Sequence, residues 1–75
     1  MNETNDITIF VVNIMTRNTL EIITFLPRIG ERVILTNGTV EYLVKDILHY
    51  IDYKSIVVFV EEISKDNSYF FNERK

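Results

Sequence analysis

Arg32-Val33-Ile34-Leu35-Thr36-Asn37-Gly38-Thr39-Val40-Glu41-Tyr42 decides the fold class. Two strand-like runs flank an Asn-Gly pair. A two-residue hairpin turn of the I′ type needs positive φ at both central residues, and Asn and Gly accept it most readily. The stretch predicts a hairpin, with one strand over residues 31–36 and the next over residues 39–49.

Upstream, residues 7–16 read as a first strand and Arg17-Asn18-Thr19 as a turn, since Asn tolerates left-handed backbone angles. A second strand is expected over residues 20–26. Pro27 ends it, having no N–H to give to a ladder. Gly30, ahead of the third strand, is expected to supply a positive φ or a bulge. Downstream, residues 50–54 form a polar-aromatic connection, and a last strand covers residues 56–63. From Ser64 the chain is polar, apart from Tyr69-Phe70-Phe71.

Composition agrees with strands. There are eleven Ile, eight Val and seven Thr, but no Ala or Gln, so β-branched residues replace the usual helix formers. Seventy-five residues make one domain. A chain of this size buries only about 60% of its unfolded surface. It has no Cys and a single His, which removes disulfides, thiolate metal sites and His-rich metal sites. The expected architecture is all-β: a five-stranded, strongly bent antiparallel sheet, ordered as a meander, that curls into a small barrel and so hides its edges. Residues 1–6 are read as a flexible N-terminus, 7–63 as the barrel, and 64–75 as a polar tail docking through Phe70 and Phe71.

Two strands depart from simple alternation. In the first, Ile7, Ile9, Val11 and Met15 share one face, and Phe10, Val12 and Ile14 the other. In the last, Val58 and Val60 oppose Val57 and Phe59. Only one face can point into a small barrel, and an antiparallel strand with one wet face should alternate. Something must cover the second face: the chain's own tail, a second copy, or a foreign protein.

Leu26-Pro27-Arg28-Ile29-Gly30-Glu31-Arg32-Val33, followed by Tyr42-Leu43-Val44-Lys45-Asp46-Ile47 and His49, carries a resemblance across residues 20–63. It resembles small bacterial and bacteriophage proteins with a P-R-I-G-E-x-V segment and a Y-x-V-x-x-V/I-x-H segment. Most of these lack an assigned activity. The resemblance implies a Src-homology-three-like barrel and no catalytic residue. Val33, Tyr42, Val44 and Ile47 are expected in the core. Val44 and Ile47 lie three apart, so a bulge near Lys45-Asp46 is needed for both to point inward.

The residues show no catalytic constellation, so the chain is read as a non-enzyme without a cofactor. His49 has no nucleophile nearby in sequence and reads as a strand-end histidine. Glu61 and Glu62 are adjacent on a strand and point to opposite faces. Two glycines cannot build a phosphate-cradling loop, and no Ser has the glycine flanks of a nucleophile elbow. The net charge of −3 disfavours general nucleic-acid binding, and no basic cluster suits an anionic membrane. No secretory signal is visible, so the expected location is cytoplasmic.

A binding role remains. Its candidate residues are Phe10, Val12, Val57 and Phe59, with Tyr50 and Tyr53, whose rings supply rigid contact area and a hydrogen-bonding end. The plainer reading of the tyrosines is that they cap the barrel end. The expected function is a protein-interaction module that self-associates, or binds or inhibits a host protein. A nucleic-acid-binding barrel is the alternative, with Tyr42, Tyr50, Tyr53 or Phe25 stacking on bases and Arg28, Arg32, Lys45 and Lys54 on phosphates.

Overall fold

The computed structural model describes residues 6–68. The flexibility expected for residues 1–5 and the docking expected of Phe70 and Phe71 fall outside these residues. Five strands follow in order: β1 (Thr8–Asn13), β2 (Thr19–Ile23), β3 (Arg32–Ile34), β4 (Glu41–Tyr50) and β5 (Ser55–Glu62). A single 3-10 turn over Lys65–Asn67 comes after them. Among the described residues no helix is long and apolar enough to cross a membrane.

The strands form one sheet in the order β2-β1-β5-β4-β3, curled into an open half-barrel. This corrects the expected antiparallel meander in two respects. β1 and β5 are neighbours and run parallel, from Thr8 opposite Ser55 to Asn13 opposite Val60. The sheet does not close, because β2 and β3 are its two edges. Strands that are covered on both faces read as continuous apolar runs, and these two therefore take the middle of the sheet.

The core lies on the concave face. Ile9 and Val11 of β1, Val44 of β4, and Ile56, Val58 and Val60 of β5 are buried there. Leu20, Ile23, Val33, Leu35, Tyr42 and Ile47 pack against them. The expected bulge is present: the β4–β5 register slips between Val44 and Asp46, so Lys45 is the extra residue and both Val44 and Ile47 face inward. A second bulge between β1 and β2 makes Leu20 the extra residue.

The turns differ from expectation in their details. Asn13 ends β1 three residues early, because its side chain accepts the N–H groups of Met15 (2.8 Å) and Thr16 (3.2 Å). Positive φ then falls on Arg17 (66°) rather than Asn18. Of the positive φ or bulge expected at Gly30, the structure has the positive φ (93°), in a turn where Glu31 N–H donates to Arg28 O. The Asn-Gly turn is displaced by one residue. Gly38 N–H donates to Leu35 O (2.9 Å), which leaves Thr36 and Asn37 central, and only Asn37 has positive φ (60°). Gly38 serves instead by close approach, since a Cβ there would lie 3.2 Å from Leu35 O.

The displaced turn is tied across the molecule. Glu21 of β2 reaches the β3–β4 connection, and its carboxylate accepts both the Thr36 N–H (3.0 Å) and the Thr36 hydroxyl (2.6 Å). Where a barrel would continue its ladder, a side chain clips the two edges together. Between them lies an apolar cleft of about 80 Å³, lined by Val11, Ile23, Phe25, Pro27, Val33 and Leu35 among others.

Candidate protein-binding face

Strand alternation and register assign the outer, convex face. Ile9 and Val11 point inward, so Phe10 and Val12 point outward; Val57 and Phe59 do the same on β5. Phe10 lies opposite Val57, and Val12 opposite Phe59. The neighbouring strands extend both rows. Ile22 flanks Phe10, and Leu48 flanks Val57. Thr19 flanks Val12, and Asp46 flanks Phe59. The first row, Ile22–Phe10–Val57–Leu48, is apolar across four strands.

The four central side chains are half-buried, while Ile22 is 58% and Leu48 42% exposed. Alternation places Tyr50 on the same face as Leu48, at the β4–β5 hairpin tip. Its ring packs edge-on against Tyr53, with centroids 6.3 Å apart. Tyr53 and Ile51 project furthest, at 77% and 80% exposed. All six residues singled out from sequence therefore fall on one continuous surface. Ile22 and Leu48 were missed. They become visible only when neighbouring strands are aligned, because each looks unremarkable within its own strand.

Polar groups rim the apolar rows. Thr8 and Ser55 lie between them and the tip. At the far end, Lys45 and Glu61 form an exposed ion pair (3.6 Å). Asp46 accepts the N–H of Ile47 (2.9 Å). An apolar centre with a polar rim is the anatomy of a protein interface.

The other candidates do not converge. His49 is exposed near the end of β4 and borders an open hollow lined by Ile7, Tyr50, Ile51, Lys54, Ser55 and Ile56, with no carboxylate in the lining. Of the cations proposed for phosphate contact, Arg28 lies 3.9 Å from Glu31, Arg32 lies 2.9 Å from Glu41, and Lys45 pairs with Glu61. Glu41 was not singled out, yet it is buried, at 3% exposure. Its carboxylate accepts Arg32 Nη1–H and the Ser68 hydroxyl (2.6 Å), and Arg32 also donates to Asn67 O. This knot ties the first residues after β5 to the β3–β4 edge. A buried carboxylate demands such partners, but nothing in the local sequence names them.

Compared with protein-family models, curated proteins and solved structures, the chain has no match.

Proposed function

We propose that the chain is a non-catalytic protein-interaction module. One observation carries this reading: the outer face and the hairpin tip present Ile22, Phe10, Val57, Leu48, Tyr50 and Tyr53 as one apolar, aromatic surface with a polar rim. A contiguous exposed patch of this kind marks a docking site on a small protein. The resemblance noted in the sequence supports a bacterial or bacteriophage origin, where the tip engages a host protein. The nucleic-acid alternative is weaker, because three of its four proposed phosphate contacts already face a carboxylate.

The test is a photo-crosslinking residue placed at Ile51 in cells, with Arg17 at the opposite end of β1 as the control. A polypeptide adduct at position 51, absent at 17 and lost on Tyr53→Ala, is the expected result. Absence of any polypeptide adduct at 51, or retention on nucleic acid at low salt without one, would reverse the assignment.

A further inference from the structure

The half-barrel is not filled on its concave side. The cleft at the seam has Val11 and Val58 of the inner strands as its floor, with Ile23 on the β2 side and Val33 and Leu35 on the β3 side. Its volume of about 80 Å³ is roughly half that of an engineered apolar cavity that takes up benzene, so it has room for about four carbons. Solvent barely reaches the floor, where Val11 is 1% and Val58 0% exposed. An apolar space of this kind holds water poorly and an apolar group well. In the lining only Glu21 and Thr36 are polar. One Glu21 oxygen accepts the Thr36 N–H and the other the Thr36 hydroxyl. An ionised carboxylate has about four acceptor sites, so about two are left. The bonds from Thr36, the hydroxyl first, favour the ionised form. Among the described residues no cationic side chain lies within ion-pair distance of Glu21.

We propose that this cleft binds a small primary ammonium carried on a short apolar body, with the body between the β2 and β3 edges and the ammonium on Glu21. The two parts of the site differ in depth. The floor is closed to solvent, whereas Glu21 is half-exposed and Thr36 exposed at the mouth. A ligand therefore enters apolar end first and keeps its charge outermost. A lysine or arginine of a partner protein has the reverse order. Its charge would arrive at Val11 and Val58, where burial without a partner is costly. A carboxylate would meet Glu21 as a like charge. A neutral alcohol has the same body but lacks the charge-assisted bond. The cleft opens through the seam and shares no lining residue with the outer face or the hairpin tip, so it stands apart from the interaction-module reading.

The test uses probes that share an isobutyl body and differ in head group: isobutylammonium, isobutanol and isovalerate. Each is titrated into the isotope-labelled full chain at neutral pH. The readout is the methyl resonances of Val11, Val33 and Val58 and the amide of Thr36. So small a body supports a Kd of about a millimolar. Isobutylammonium should give saturating shifts at these groups, with a Kd about fivefold below that of isobutanol, and isovalerate should not saturate. Glu21→Gln should bring the Kd of the ammonium up to that of the alcohol and leave the alcohol unchanged, with circular dichroism confirming that the fold is kept. No saturating shift at the cleft, an ammonium that binds no tighter than the alcohol, or a preference that survives Glu21→Gln overturns the proposal. The comparison of head groups is made on the wild-type chain, so it decides the matter even where Glu21→Gln fails to fold.

Discussion

Glu21 faces inward from an edge strand, on the same side as Ile23 and opposite buried Val11. An aliphatic residue there would extend the core, but it would leave the N–H and hydroxyl of Thr36 without this acceptor. An inward carboxylate also discourages another chain from pairing with the β2 edge. The Thr36 hydroxyl, and then its N–H, hold the Glu21 carboxyl below its usual 4.5. A carboxyl depressed by folding stabilises the folded state above its unfolded pKa, and that contribution is lost as pH falls through the folded value. The wild-type urea midpoint should therefore fall more steeply than that of Glu21→Gln as the pH drops below about 4.5. Parallel pH profiles for the two proteins would remove the clip from any role in stability.

At the scale of elements, the two bulges set which side chains reach the core. Side chains alternate strictly, so one extra residue flips everything beyond it. Lys45 is that residue on β4. It lets Val44 and Ile47 share the concave face and keeps Asp46 outside. Deleting Lys45 leaves Val44, Asp46 and Ile47 in regular alternation opposite Val60, Phe59 and Val58, so the deletion should keep the cooperative unfolding transition. A glycine inserted between Asp46 and Ile47 instead turns Ile47 and the residues after it to the opposite face, and the expected result is loss of that transition. Retained cooperativity in the insertion, followed by circular dichroism, would mean that β4 can slip without penalty. The edges show a related economy: β3 is three residues long, and β2 carries the Leu20 bulge. Both features deter edge-to-edge pairing.

At the scale of the whole molecule, stability is concentrated in the middle of the sheet. Among the described residues the buried core is six aliphatic side chains, all on β1, β4 and β5, and Val58 and Val60 are fully enclosed. Opening free energies range from near zero at mobile edges up to the global value in core strands. The amides of Val58 and Val60 should be the last to exchange with deuterium, and those of β2 the first among the long strands. Uniform protection across all five strands would show that the seam between β2 and β3 is closed in solution.

Much was legible in the sequence because it is local. The all-β class and the special backbone at Gly30 follow from residue type, whereas the inward set Val33, Tyr42, Val44 and Ile47, and with it the bulge near Lys45-Asp46, came from the motif resemblance. The doubly apolar first and last strands also gave up the central residues of the candidate face, and their continuous runs carried an unread sign that neither is an edge strand. The parallel pairing of β1 with β5, the open seam, the Glu21–Thr36 clip and the Glu41–Arg32–Ser68 knot belong to the tertiary structure alone. The pairing, the clip and the knot join groups 9 to 47 positions apart in the chain. The choice among such contacts rests on the packing of the folded chain around one shared core, and a strand's own pattern says which face is apolar without saying which strand will lie beside it.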